Sequence, residues 1–129
     1  MHTPNFDEDG WCLEDGEERN RLYPETFQIP DLEVRQALKP GDFAKLIFRV
    51  AVEGDEPDAV SRMWVIVRET IPGGYLGILD NKPDSITEND RFWIGAELPF
   101  EYRHIISVGH ANETSRAIAC GPPTIPWRR

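Results

Sequence analysis

Cysteine is nearly missing from this chain of 129 residues. There are two, Cys12 and Cys120, near opposite ends and outside any C-x-x-C pair. That excludes a disulfide scaffold and the common structural zinc patterns. A single bridge joining the two ends stays open, while two free thiols suit a cytoplasmic protein. Long apolar runs are missing too: none approaches the roughly 18 residues of a membrane span. The first residues, MHTPNFDEDG, have neither a basic stretch nor an apolar one, so no signal peptide is read there. Positive charge is scarce, with 14 Lys and Arg against 23 Asp and Glu and a formal net charge of −9. A negative field repels phosphate backbones, which argues against direct nucleic-acid binding. The expectation is a soluble, cytoplasmic protein with no membrane or nucleic-acid partner.

Catalytic patterns are equally scarce. No G-x-S-x-G occurs, and neither cysteine lies beside a histidine in sequence. Cys12 sits among acids, which would raise its pKa and dull it as a nucleophile. His2, His104 and His110 lack metal-ligand spacing. Two carboxylate pairs, Asp80 with Asp84 and Glu97 with Glu101, have the chemistry of an acid and a base if buried together. In a chain with 23 carboxylates, coincidence explains them better. EGDEPD is as acidic as a calcium loop but lacks its ligand order. PGGYLG has glycines but no following helix or Lys-Ser/Thr, so it reads as a turn and not a phosphate cradle. No catalytic residue, metal site or cofactor is expected.

What is present is aromatic and turn-forming. Six Phe, four Trp and three Tyr supply large burial, and 11 Pro with 10 Gly limit long helices. Residues 1–30 hold eight acids and two bases, punctuated by Phe6, Trp11, Leu13, Leu22, Tyr23, Phe27 and Ile29. They read as an acidic extended arm packed on the domain and pinned by Trp11 and Phe27, its charges solvated. Asp31 can cap one short helix, ended by Pro40 and Gly41. Residues 31–108 read as one β-rich domain. In FAKLIFRVAV, residues Ala44, Leu46, Phe48, Val50 and Val52 share one face. RMWVIVRET is apolar on both faces and reads as a central strand, with IPGG turning it into a hairpin with YLGIL. DNKPDSITEND is a loop in which Ser85 and Glu88 have capping-box spacing. RFWIGAELPF is the fourth strand, with Phe92, Ile94, Ala96 and Leu98 on one face, and RHIISVG is the fifth. Residues 109–129 form a Pro-rich tail, either packed through Ile125 and Trp127 or loose.

The expected fold is mainly β: about five antiparallel strands in a strongly bent sheet or small SH3-like barrel, with one short helix before the first strand. An α+β arrangement with that helix on an open sheet is the alternative. Trp64, Tyr75, Phe92 and Trp93 fall on neighbouring strands, where outward-facing aromatics can form a groove for a peptide. Alternation places Trp64 and Trp93 outward. They form either a platform or a surface covered by the two arms. The candidate ligand-binding residues are Trp64, Tyr75, Asp80, Asn81 and Trp93. Asp80 and Asn81 read first as a turn, because their short side chains bond nearby backbone N–H groups and Pro83 blocks further pairing.

GDFAKLIF, RMWVIV, GYLGILDNKP, an Asn-Asp turn before RFWI, and HIISV together span residues 41–108. In these motifs the chain resembles the bacterial domain of unknown function family 2314. Asn89-Asp90 stands where that family usually has Gly-Asp. The resemblance implies a small β-rich bacterial domain and brings no established activity, cofactor or site residue. The expected function is a non-catalytic binding or interaction module for a protein or peptide. The alternatives are an immunity-like inhibitor of a basic protein partner and a small enzyme of unknown reaction.

Overall fold

The computed structural model describes residues 3–52 and 56–128. The charged turn expected after Val52 begins at Glu53, so its first residues lie outside the described ones, as does His2. Six antiparallel strands make one barrel-like sheet. They are β1 (Trp11–Leu13), β2 (Phe43–Val50), β3 (Ala59–Ile71), β4 (Gly74–Leu79), β5 (Glu97–Glu101) and β6 (Ile105–Gly109). Among the described residues four short α-helices accompany them: α1 (Phe6–Asp9), α2 (Gly16–Leu22), α3 (Leu32–Arg35) and α4 (Glu113–Cys120). The strand order is β1-β2-β3-β4-β5, with β6 also paired to β2. The outer side of β2 is therefore shared: β6 pairs with Phe43–Leu46 and β1 with Phe48–Val50. Consecutive strands β5 and β6 lie at opposite ends of this order. The 3-10 turn Tyr102–His104 carries the chain between them and bends the sheet toward closure.

Period-two burial builds the core. Ala44, Leu46, Phe48 and Val50 of β2 face Met63, Val65 and Val67 of β3, and all are buried. All six residues of β4 are buried, as a central strand requires. The expected hairpin forms across Pro72–Gly73, where Gly73 has φ of 79°. At Gly77 the sheet is packed so closely that a Cβ would lie 2.5 Å from Val65 Cγ1 and 2.8 Å from the Ile66 carbonyl.

Three stretches differ from the sequence reading. The first 30 residues are not simply extended: they contain α1, β1 and α2, with Trp11 buried in the core. Asn5 caps α1 by accepting from the Asp7 and Glu8 N–H groups, and Asp15 caps α2 by accepting from Glu18 N–H. The fourth strand starts at Glu97, not at Arg91. Asn89 Oδ1 accepts from the N–H of both Arg91 and Phe92, and its Nδ2 donates to Thr87 and Phe92 carbonyls. That coils the chain before it extends, leaving Phe92 buried and Ile94 exposed. Residues 113–120 are helical, where only a Pro-rich tail was expected. Asn112 and Ser115 cap α4 reciprocally, each side chain accepting from the other's N–H at 2.8 Å. The helical turn allowed by Ser85 and Glu88 does not form, and Asp31 precedes α3 without a side-chain capping bond.

The tail beyond α4 is held at the two anchors the sequence offered. Ile125 bridges to Ala96, and its carbonyl accepts from Glu97 N–H at 2.8 Å. The Trp127 ring meets Trp11 edge-on at 5.8 Å, and Trp11 in turn stacks on Phe92 at 4.7 Å.

Candidate functional site

Strand β4 ends at Leu79, and the next two residues close its ladder with β3 in an unusual way. Asp80 N–H donates to the Trp64 carbonyl at 2.9 Å. Trp64 N–H then donates to the Asn81 side chain, Oδ1, at 2.5 Å. The amide oxygen of Asn81 replaces the main-chain carbonyl that a longer β4 would supply. This bond spans 17 residues, so Asn81 does more than form a local turn.

Three clefts converge on this corner. The first, of about 270 Å³, is lined by Phe43, Trp64, Asp80, Asn81 and Gly109. Phe43 and Trp64 meet edge-on at 6.2 Å, and Lys45 Nζ lies 5.4 Å from the Trp64 ring centre. The second, of about 360 Å³, reaches from Asp80 past Ile78, Leu79 and Ile94 to Ile118 and the Pro122–Pro123 segment. The third, of about 320 Å³, runs between Ser61–Met63 and Asn81, Lys82 and Asp84. Asp80 lines the first two clefts. It is half-buried, and no hydrogen bond or ion pair reaches its carboxylate among the described residues. Burial without a partner pushes its pKa above the usual carboxylate range.

Of the five candidate ligand residues, the structure brings Trp64, Asp80 and Asn81 to one cleft. Tyr75 is elsewhere: it is fully buried, and its hydroxyl donates to the Arg35 carbonyl at 2.7 Å and accepts from Leu38 N–H at 3.1 Å. It is a core residue that fixes the chain after α3. Trp93 is half-buried in the coiled segment before β5 and does not line the Trp64 cleft. The missing member is Phe43, whose place near Trp64 comes from the β2–β3 register, which sets Lys45 opposite Trp64 and Phe43 opposite Ile66, while β6 brings Gly109 to its other side. Phe43 alternates with the buried Ala44 and so lies on the opposite face of β2; only the register adds its neighbour.

The other chemical candidates are engaged structurally. Glu97 is buried and takes Arg68 Nη1 at 3.0 Å and Trp127 N–H at 3.1 Å. Glu101 pairs with Arg103 at 2.8 Å. Burial and Glu14 raise the Cys12 pKa, and both Cys12 and Cys120 are free thiols. His104 Nδ1 accepts from Glu101 N–H at 2.9 Å, and burial, with Arg103 close by, lowers its pKa to about 4. No group of three or more His, Cys, Asp or Glu side chains among the described residues is arranged to hold a metal ion. No described helix is long and apolar enough to cross a membrane. No family model, curated protein or solved structure matches this chain.

Proposed function

We propose that this protein is a non-catalytic binding module that engages another protein or a peptide at the Asp80–Asn81 corner, with a basic group of the partner meeting Asp80. The observation behind this reading is the half-buried, unpaired Asp80 carboxylate beside the Phe43–Trp64 wall. A carboxylate in apolar surroundings is costly unless a cation faces it. A Lys or Arg side chain, or an amino terminus, supplies that charge beside the apolar wall of Phe43 and Trp64.

The inhibitor reading has less support. Six of the eight acids in residues 1–30 meet arginines of this same chain: Glu8 and Asp9 with Arg128, Glu14 with Arg49, Asp15 with Arg103, Glu17 with Arg35 and Glu18 with Arg21. The acidic segment is thus largely neutralised from within. The proposal includes a cytoplasmic setting and kinship of residues 41–108 with the domain of unknown function family 2314.

Calorimetric titration with Lys- or Arg-containing pentapeptides, paired with NMR titration of the Asp80 carboxyl, tests the reading. Binding should lower the Asp80 pKa, and Asp80→Asn should weaken it about tenfold. Peptides that leave the Asp80 titration unchanged, or that bind Asp80→Asn equally well, would overturn it.

A further inference from the structure

The N-terminal half of β3 has a neighbour on one side alone. Residues 59–66 pair with β2, whereas pairing with β4 begins at Val65 and stops there because β4 ends at Leu79. Trp64 directs both its main-chain groups to the β4 side, where Asp80 and Asn81 meet them. In an antiparallel ladder alternate residues point the same way. Arg62 and Val60 therefore aim their N–H and C=O groups past the end of β4, and the described residues place no strand beside them. Both are exposed, Val60 at 49%. The cleft along this edge is the one lined by Ser61, Arg62, Met63, Asn81, Lys82 and Asp84.

The charge here is opposite to that of the whole chain. Arg62 lies over the Phe27 ring at 5.3 Å. Among the described residues, neither Arg62 nor Lys82 has a carboxylate partner, and Asp84 is the one acid on the cleft wall. This local excess of positive charge sits in a protein of net charge −9.

We propose that the open β3 edge receives an extended segment of another protein, added as a strand beside Val60–Arg62, with an acidic side chain placed against Lys82 and Arg62. Main-chain pairing supplies affinity and the two cations supply preference. At Trp64 the same edge already donates its N–H to an oxygen that is not main chain, the Asn81 side chain. This rests on the reading that the chain binds another protein, and it names how that partner is held. Asp80 and Lys82 flank Asn81, so a partner carrying both charge signs spans the corner.

Amide hydrogen exchange on the full-length protein tests this, with acetyl-Thr-Val-Glu-Val-Thr-amide as the probe. In the free protein, Val60 and Arg62 should exchange about tenfold or more faster than Ser61 and Met63, which face β2. The peptide should slow Val60 and Arg62 by about tenfold, and the same peptide N-methylated at alternate amides should not. Replacing its Glu by Lys should weaken binding about fivefold, and Lys82→Glu should reverse that preference. Arg62→Pro removes one outward donor and should abolish protection; if that variant does not fold, the N-methylated peptide and Lys82→Glu decide. The inference is overturned if Val60 and Arg62 are already slow in the free protein, or if the peptide leaves them unchanged. Protection that grows with protein concentration alone would also overturn it, because a second copy would then own the edge. The amides report the edge and the Asp80 carboxyl reports the cleft, so either reading can fail without the other.

Discussion

Asn81 and His104 show how single side chains substitute for main chain at opposite ends of the sheet. Asn81 accepts the Trp64 N–H that β4 is too short to reach. Asn81→Ala leaves that donor without a protein partner, and the expected loss is about 1–2 kcal/mol by urea denaturation. Asn81→Asp keeps an acceptor oxygen and should recover part of the loss. His104 accepts from Glu101 N–H through Nδ1, which requires the neutral ring. Burial first, and Arg103 second, lower its pKa from 6.5 to about 4, against the opposing pull of Glu101, Asp15 and Glu17. The unfolded chain therefore binds a proton between these two values that the folded protein refuses. Stability is fully kept above pH 6.5 and falls as pH drops toward about 4, by about 3 kcal/mol. Asp9 and Asp15 act in the same direction at lower pH: burial alone would raise both, but arginine and N–H partners hold them below the usual range. Asp80 acts in the opposite sense, because its pKa is raised. Denaturation midpoints from pH 7 to 4 for wild type and His104→Gln check this; the variant should show a flatter slope in that window.

Strands were easier to read in this sequence than caps and coils, and the reasons are physical. Alternation along Ala44–Val50 and Met63–Val67 survives on the core face, where every second residue is buried, although Ile47 and Ile66 on the opposite face are buried as well. The same rule misleads at Arg91–Gly95, where the Asn89 amide engages two N–H groups and coils a segment whose apolar residues happen to alternate. Helices α1, α2 and α4 have at most eight residues, too short for a periodic stripe to stand out, and their local signal is the cap. Asn5, Asp15 and the Asn112–Ser115 pair carried that signal inside stretches whose acid or proline content suggested otherwise. The candidate corner was legible in part: Trp64, Asp80 and Asn81 were candidates, but Phe43 joins them through the β2–β3 register, which no local pattern encodes. Two further elements depend on close approach. A bulge between Val67 and Glu69 marks the turn of β3 at Arg68, whose guanidinium reaches Glu97 and the Gly121 carbonyl. Arg68 is partly exposed but Glu97 is buried, so Arg68→Ala, which strips a buried carboxylate of its cation, should cost about 3 kcal/mol. Gly77→Ala, where β4 has no room for a Cβ, should cost about 1–3 kcal/mol in the same thermal or urea assay.

At the scale of the whole molecule, the two ends of the chain belong to the core. Trp11 is 3% exposed and stacks on Phe92, while Phe48 and Trp127 complete the cluster around it. The first 30 residues add β1 to β2, and their carboxylates meet arginines at positions 35, 49, 103 and 128. Buried Arg35 bonds Glu17 and the Tyr102 carbonyl, both distant in sequence, and the nearby Pro30 carbonyl. The far end contributes the Ile125 bridge and the Trp127 N–H that completes Glu97. A fragment of residues 31–108 keeps β2 to β5 and all of β6 but Gly109, and exposes the Trp11 site on Phe48 and Phe92. It also leaves the Arg35 guanidinium without the Glu17 carboxylate. Burying a residue the size of Trp contributes about 3–5 kcal/mol, comparable with the 5–15 kcal/mol net stability of a whole domain. With the ion pairs and the β1 ladder lost as well, that fragment should lack a cooperative thermal transition and show collapsed amide dispersion by NMR. Adding back a peptide of residues 1–30 should restore part of both. A fragment that melts cooperatively on its own would instead make the first 30 residues a dispensable appendage.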